Sequence, residues 1–165
     1  GAAGSIGAEI VRQVSHFFPS KLILLDQAES PLYEIENEIK EQFGENLCEI
    51  VVADVANSSR MENVFNTFRP NVVYHCAAYK HVPIMEDNPS EAVLTNILGT
   101  KIMVDLSDKY EVDSFVMVST DKAVNPTNVM GASKRAADST DKHRPALPQA
   151  TRYAICVAKR NSGNC

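Results

Sequence analysis

The chain has 165 residues, of which 44% are hydrophobic, and its formal net charge is -5. This length suffices for one hydrophobic core and leaves little room for a second domain. The acidic balance argues against a broad nucleic-acid surface, because neutralising phosphates requires clustered Lys and Arg. We therefore predict one domain and no nucleic-acid partner.

Apolar strands alternate with helical patterns along the chain. The predicted strands cover 22–26, 49–54, 72–77, 114–120 and 153–157, and the predicted helices cover 5–18, 31–43, 59–68, 89–110 and 128–141. Repeated strand and helix segments indicate a parallel sheet with right-handed crossovers. The prediction is an α/β fold, a Rossmann-like doubly wound parallel sheet over residues 1–158, followed by an atypical tail at 159–165.

The first helix is preceded by glycines with the spacing G-x-x-G-x-x-G. Such a turn lets backbone approach a pyrophosphate and directs helix N–H groups at it, although the same spacing also occurs in ordinary small-residue turns. The predicted phosphate-binding residues are Gly1, Gly4, Ser5, Ile6 and Gly7.

The first predicted strand ends in Asp26, nineteen positions after Gly7. At about this separation an acidic side chain meets the ribose hydroxyls of a dinucleotide. A carboxylate also repels a ribose 2′-phosphate, so we predict NAD as the cofactor in preference to NADP.

A dinucleotide fold needs a strand before the glycine turn, and the printed sequence begins at the first glycine. We therefore expect a fragment that lacks the first strand and a C-terminal substrate lobe. Because the first strand lies at the centre of such a sheet, we also expect its neighbours to lack backbone partners.

The four cysteines, Cys48, Cys76, Cys156 and Cys165, form no C-x-x-C pair. They are typical of reduced residues in a cytoplasmic protein, and we predict no metal site. The sequence contains no transmembrane run or signal peptide, so membrane association would come only through segments outside it.

Four segments carry a family resemblance: residues 25–29, 78–83, 85–89 and 119–134. They resemble the extended short-chain dehydrogenase/reductases and, within them, the bacterial UDP-N-acetylglucosamine 4,6-dehydratases of polysaccharide biosynthesis. The resemblance implies that a tightly held nicotinamide takes hydride from sugar C4, that water is eliminated across C5 and C6, and that the hydride returns to C6. It also implies a UDP-sugar substrate and a homo-oligomeric, longer parent.

The resemblance assigns catalytic roles at strand ends and on helices. Lys134 would hold the nicotinamide ribose, and Thr120 would hydrogen-bond the sugar O4. Asp121 would be the acid for the leaving hydroxyl and Lys122 the base at C5, if burial and neighbours raise the first pKa and lower the second. The alternative is that Asp121 and Lys122 form an exposed turn pair. Asn96 would fix the geometry of the site from within a helix.

Further cofactor contacts are expected after two strands. Relatives hold the adenine with an aspartate and the next backbone N–H, which correspond to Asp54 and Val55, although Asp54 could simply cap its strand. The small side chains of Ala77 and Ala78 would let backbone approach the dinucleotide.

Lys80 and His81 would face the substrate cleft, although a histidine on a loop is often only solvated. Met130 stands where most relatives carry a tyrosine, and a thioether cannot exchange a proton with the sugar 4-hydroxyl. Because some dehydratases of this group carry methionine there, we interpret Met130 as a mark of a subfamily within the catalytic set.

Two other functions remain open. A nucleotide-sugar epimerase would share the same lobe but usually keeps the tyrosine and lacks the Asp-Lys pair. A non-catalytic NAD(P)-sensing protein would keep the glycine turn and need neither the tyrosine nor the Asp-Lys pair. The pair Asp121-Lys122 favours the dehydratase over both.

Overall fold

The computed structural model describes residues 1–141 and the strand at 153–156. The strands are β1 (Lys21–Asp26), β2 (Cys48–Val52), β3 (Val72–His75), β4 (Ser114–Met117) and β5 (Tyr153–Cys156). The helices are α1 (Ser5–Ser15), α2 (Glu29–Phe43), α3 (Ser58–Phe68), α4 (Val82–Asp87), α5 (Pro89–Ala92), a π-helix (Val93–Gly99), α6 (Thr100–Lys109), a 3₁₀ turn (Asp121–Ala123) and α7 (Val129–Asp141).

The strands form one sheet in the order β2-β1-β5-β3-β4, and each described pairing is parallel. This confirms the predicted doubly wound α/β class. The four central residues of β1, Leu22 to Leu25, are fully buried. Such continuous apolar burial is expected of a parallel strand with a helical layer on each face.

Alternation along β1 divides the core into two halves. Ile23 and Leu25 pack on one face with residues of α3 such as Phe65, while Leu22 and Leu24 pack on the other with residues of α2. Successive strand side chains point to opposite faces, so each half of the core needs its own helices. The carboxyl ends of the strands are left free for a ligand.

The expectation that the central strands lack backbone partners is wrong within the described residues. Strand β5 lies between β1 and β3 and pairs in parallel with both. Lys21 faces Tyr153 in this register, and Val72 faces Ala154. In the usual dinucleotide-binding order, this position belongs to the strand before the glycine turn.

Several element ends differ from the sequence prediction. Strands β2, β3 and β4 end two to three residues early, at Val52, His75 and Met117. Ala53 N and Val118 N still donate to Asp26 O and His75 O of the neighbouring strands, and the chain then enters the loops that surround the site. The helix predicted at 89–110 is interrupted by the π-helix, and α4 was not predicted.

No helix among the described residues is long and apolar enough to span a bilayer. Likewise, no group of three or more potential ligand side chains in residues 1–141 and 153–156 is placed to hold a metal ion. The predicted tail at 159–165 lies outside the described residues.

Candidate functional site

A cavity opens at the carboxyl ends of β1, β2 and β3. Its lining residues are Gly1, Gly4, Ser5, Ile6, Asp26, Gln27, Ala53, Asp54, Val55, Cys76, Ala77, Ala78, Tyr79, Lys80 and Thr95. The structure therefore brings together nearly all the predicted cofactor residues. Gly7 lies behind them in the turn, and Lys134 lies on α7.

The glycine turn packs too tightly for side chains. A Cβ at Gly1 would lie 2.6 Å from the backbone nitrogen of Ala77, and a Cβ at Gly7 would lie 1.9 Å from the Gly1 carbonyl oxygen. Only glycine avoids these clashes. The turn leads directly into α1, whose first N–H groups have no partner within the helix and can bind a phosphate.

Asp26 is placed and ionised as a ribose-binding residue would be. Its Oδ2 accepts a hydrogen bond from Ala3 N at 3.0 Å, and its Oδ1 accepts one from Ala28 N at 3.0 Å. Burial opposes ionisation of Asp26, whereas the hydrogen bonds from these backbone N–H groups favour it, and the pKa of Asp26 lies below its usual value. Each oxygen keeps a lone pair for a sugar hydroxyl.

Asp54 closes the turn after β2 and also lines the cavity, so its predicted contact with the adenine stays a prediction. Its Oδ1 accepts a hydrogen bond from Ala56 N at 2.8 Å. Val55 beside it is buried against the π-helix, where a Cβ at Gly99 would lie 2.7 Å from Val55 Cγ2. The close approach of the two elements fixes this part of the cavity.

Asn96 clamps the loop after β3. Its Oδ1 accepts from Tyr79 N at 2.8 Å, and its Nδ2 donates to Tyr79 O at 3.1 Å and to Ser133 Oγ at 2.9 Å. The side chain is fully buried. It therefore acts by holding backbone that lines the cavity against α7, and it sits in a π-helix, a feature often found at functional sites.

A second, more open cavity lies at the end of β4. It is lined by Met117, Val118, Ser119, Thr120, Asp121, Ala123, Val124, Arg135, Asp138 and Ser139. Thr120 Oγ1 donates to Asp121 Oδ1 at 2.9 Å, and Lys122 Nζ lies 4.0 Å from the same oxygen. Lys122 does not line this cavity, but its backbone carbonyl packs against α7 at Gly131.

The structure does not meet the condition set for Asp121 as an acid. Its side chain is 81% exposed. The hydrogen bond from Thr120, together with the charge of Lys122, holds the pKa of Asp121 below its usual value. In this state the carboxylate is ionised at neutral pH, so an acid role requires further burial by substrate or other chain segments.

Lys134 is buried, with 2% of the residue exposed, and it interacts electrostatically with Cys76 of the first cavity and Asp138 of the second. Burial lowers its pKa, and the charge of Asp138 one helical turn further on offsets part of this shift. Asp138 in turn accepts a hydrogen bond from Ser119 Oγ. The pair Ser119 and Asp138 thus ties the end of β4 to α7 beside Lys134.

The other residues predicted from the resemblance take different positions. Met130 is 1% exposed and lies in an apolar cluster with Met85 and Ala92, outside both cavities. Lys80 is exposed and lines the first cavity. His81 is exposed at the start of α4 and does not line that cavity.

Sequence reasoning missed several residues of the site, namely Tyr79, Thr95, Gly131, Ser133 and Asp138. Only Asp138 had a usable signal, its position one helical turn after Lys134. The others depend on contacts between elements distant in sequence. Glu86, for example, accepts from Val129 N at 2.7 Å and so caps α7 from α4.

The residues present fit a dinucleotide. A glycine turn that leaves no room for a side chain at Gly1, an ionised Asp26 with free lone pairs, and a helix N-terminus lie along one cavity. Together with the parallel sheet, these features define a Rossmann-fold dinucleotide-binding domain.

A family model described as "Polysaccharide biosynthesis protein" matches residues 1–160. The chain belongs to this polysaccharide biosynthesis family.

Named relatives agree with this assignment. The chain is 54% identical over 139 residues to "Capsular polysaccharide biosynthesis protein CapD" of Staphylococcus aureus, covering 84% of this chain and 23% of the relative. It is 32% identical over 170 residues to "UDP-N-acetylglucosamine 4,6-dehydratase (inverting)" of Campylobacter jejuni, covering 98% of this chain and 49% of the relative. It is 33% identical over 108 residues to "UDP-glucose 4-epimerase" of Rickettsia canadensis, covering 66% of this chain and 31% of the relative. The chain thus spans less than half the length of each of these relatives.

Solved structures give the same fold. Pen from Bacillus thuringiensis matches with a TM-score of 0.78 and 27% identity, over 93% of this chain and 46% of that one. WbmG of Bordetella bronchiseptica, solved with NAD and UDP, matches with a TM-score of 0.70 and 20% identity, over 85% and 47%. At that identity the second likeness is evidence for the fold alone.

Proposed function

We propose that the chain forms the NAD-binding lobe of a nucleotide-sugar 4,6-dehydratase whose substrate is of the UDP-N-acetylglucosamine type. The observation that carries the proposal is the turn Thr120-Asp121-Lys122, which packs on the helix bearing Lys134 at the same sheet edge as the dinucleotide cavity. Elimination of water needs both an acid and a base, and an Asp-Lys pair supplies both.

NAD is the proposed cofactor, and when bound it supplies the hydride acceptor and donor. Asp26 would hold the adenosine ribose, Asp54 with the Val55 N–H the adenine, and Lys134 the nicotinamide ribose. Ala77 offers backbone without a bulky side chain close to the glycine turn. These residues position the cofactor and take no proton from the sugar.

The proton transfers are assigned to the turn after β4. Thr120 hydrogen-bonds the sugar O4, Lys122 removes the proton at C5, and Asp121 donates a proton to O6 as it leaves as water. Asp121 is exposed and ionised in the described structure, so bound substrate must exclude water from it and raise its pKa.

The test uses a polypeptide of the relatives' full length that carries this sequence, incubated with NAD and UDP-N-acetylglucosamine. We expect a 4-keto-6-deoxy product with the mass of the substrate less one water. Lys122→Ala should lower turnover by about a hundredfold and stop solvent deuterium entering C5, because a positioned base is lost. A surface lysine substitution, Lys101→Ala, is the matched control.

The same experiment separates the alternatives. An epimerase, which the Rickettsia relative's name makes the second candidate, would give a product of unchanged mass. A non-catalytic NAD(P)-sensing protein would bind NAD and give no product. Either result would contradict the proposed dehydratase.

Cellular context follows from the same proposal. We infer a cytoplasmic location, because the four cysteines form no C-x-x-C pair and fall mostly inside apolar runs, as is typical of reduced core residues. A homo-oligomeric assembly, with any membrane anchor outside this sequence, remains part of the proposal for the longer protein.

A further inference from the structure

His75, the last residue of β3, is a buried titratable side chain that the proposed mechanism does not use. It is 1% exposed and directly precedes residues 76–80, a loop that lines the first cavity. Burial, together with the charge of Lys134, lowers the pKa of His75 well below its usual value, so the ring is neutral at neutral pH. A neutral imidazole has one N–H donor and one bare nitrogen acceptor, and its surroundings decide which is which.

The hydroxyl of Thr100 decides which ring nitrogen of His75 carries the proton. Thr100 Oγ1 lies 2.8 Å from His75 Nε2 and 2.7 Å from the backbone oxygen of Asn96. A carbonyl oxygen can only accept, so Thr100 donates its single proton to Asn96 O and accepts from His75 Nε2–H. The opposite tautomer would place an N–H at Nδ1, which is buried and has no hydrogen-bond partner among the described residues.

The residue that receives the Thr100 hydroxyl also holds the cavity loop. The side chain of Asn96 binds the N–H and the carbonyl of Tyr79 at 2.8 Å and 3.1 Å, and Asn96 lies in the π-helix. Successive helical residues are about 100° apart, so a change of one residue in the π-helical register would turn this side chain away from Tyr79. The position of the loop therefore depends on what anchors the π-helix.

We propose that His75 and Thr100 are positioning residues that fix the π-helix from the end of β3, so that Asn96 holds the loop at 76–80 in the shape that binds NAD. This inference rests on the NAD-binding part of the proposed function. Both side chains are buried, so water cannot replace a lost hydrogen bond. Neither residue needs to touch the cofactor, because the effect passes through Asn96 to the backbone of Tyr79.

The first test compares Thr100→Val with Thr100→Ser in the 165-residue chain. Valine keeps the shape of threonine without the hydroxyl, whereas serine keeps the hydroxyl and loses a methyl group. We expect hydrogen exchange at the Tyr79 N–H to become about tenfold faster or more in Thr100→Val, relative to the Val64 N–H in the core helix α3. Thr100→Ser should leave this ratio unchanged.

The second test is a calorimetric titration with NAD of a polypeptide of the relatives' full length that carries the same substitutions. We expect Thr100→Val to weaken binding by about tenfold, which corresponds to about 1.4 kcal/mol. Thr100→Ser should bind NAD as the unchanged protein does. A pair that served stability alone would lower the melting temperature without changing the affinity measured well below it.

The third test needs no substitution. In a nitrogen-15 labelled chain, the chemical shifts of the His75 ring distinguish the protonated nitrogen from the bare one. We expect the proton on Nε2. A proton on Nδ1 would reverse the direction of the hydrogen bonds and overturn the inference, even if Thr100→Val failed to fold.

The outcomes separate this inference from the proposed function. If the unchanged protein does not bind NAD, the proposed function is contradicted, and Tyr79 exchange still tests the link from Thr100 to the loop. If the unchanged protein binds NAD and Thr100→Val alters neither Tyr79 exchange nor affinity, only the positioning role is overturned. Equal losses in Thr100→Val and Thr100→Ser would likewise overturn it, because the hydroxyl would not be the cause.

Discussion

Asp26 shows how one side chain can carry both structure and selectivity. Its two oxygens receive the Ala3 and Ala28 N–H groups, so the carboxylate is held ionised at the end of β1. This geometry leaves negative charge at the wall of the cavity, where the proposed NAD would place its adenosine ribose. The charge is compatible with two ribose hydroxyls and unfavourable for a 2′-phosphate.

We therefore predict that NAD binds more tightly than NADP by at least about tenfold, which corresponds to about 1.4 kcal/mol. Asp26→Asn should narrow the difference in affinity between NAD and NADP, because the amide keeps the shape of the carboxylate and removes its charge. Calorimetric titration of both cofactors measures it, with Glu29→Gln as a charge-matched control on the exposed start of α2. Equal affinities in the unchanged protein would rule out the proposed selectivity.

Met130, in contrast to Asp26, has a packing role, which both its apolar side chain and its apolar surroundings indicate. Its neighbours Met85 and Ala92 are apolar and buried, and Val129 and Val82 cover the cluster. A methionine fills such an irregular space well. The sequence shows that Met130 cannot exchange a proton, but only its neighbours in the structure show that it fills an apolar space.

At the scale of elements, α7 organises the second half of the site. Asn128 Oδ1 accepts from Gly131 N at 2.7 Å and Glu86 accepts from Val129 N, so the first turn of α7 is capped from two directions. The 3₁₀ turn lies directly on this end of the helix. Lys134 then follows one turn further along and is buried.

The close approach of α7 and the turn predicts the effect of Gly131→Ala. The added Cβ would lie 2.5 Å from the Lys122 carbonyl oxygen, a backbone atom, so the turn must shift. We expect turnover to fall about tenfold or more, the scale of a misplaced catalytic group, because Asp121 and Lys122 move with the turn. The melting temperature should change little, since alanine has a higher helix propensity than glycine by about 1 kcal/mol, which offsets part of the cost of the clash.

Ala132→Ser on the exposed side of α7 is the control for this change. It should alter neither turnover nor the melting temperature. If Gly131→Ala retained full turnover, the turn would not need its position against α7.

At the scale of the whole molecule, β5 makes the sheet continuous. It joins the pair β1 and β2 to the pair β3 and β4, which have no other described strand between them. Without it, the facing edges of β1 and β3 would present unpaired backbone groups inside the protein. This strand comes from the far end of the described chain.

Ile155→Pro should therefore destabilise the 165-residue chain strongly. Proline removes a backbone donor, and a strand paired on both sides has no solvent-facing edge at which this is tolerated. We expect a loss of at least about 2 kcal/mol, or about 4 °C or more in melting temperature. Ile155→Val keeps the N–H and is the control, measured in the same thermal scan. Equal midpoints for the two variants would mean that β5 does not support the sheet.

Local sequence determined the class of fold and one half of the site. Alternating apolar strands and helices, the glycine spacing and Asp26 at the end of β1 all act through neighbours in the chain, so patterns reveal them. No local sequence pattern predicts the contacts between segments that are distant in the chain. The insertion of β5 at the sheet centre, the clamp of Asn96 on Tyr79, the burial of Met130 and the exposure of Asp121 each depend on how separate elements pack, and only the tertiary structure decided them.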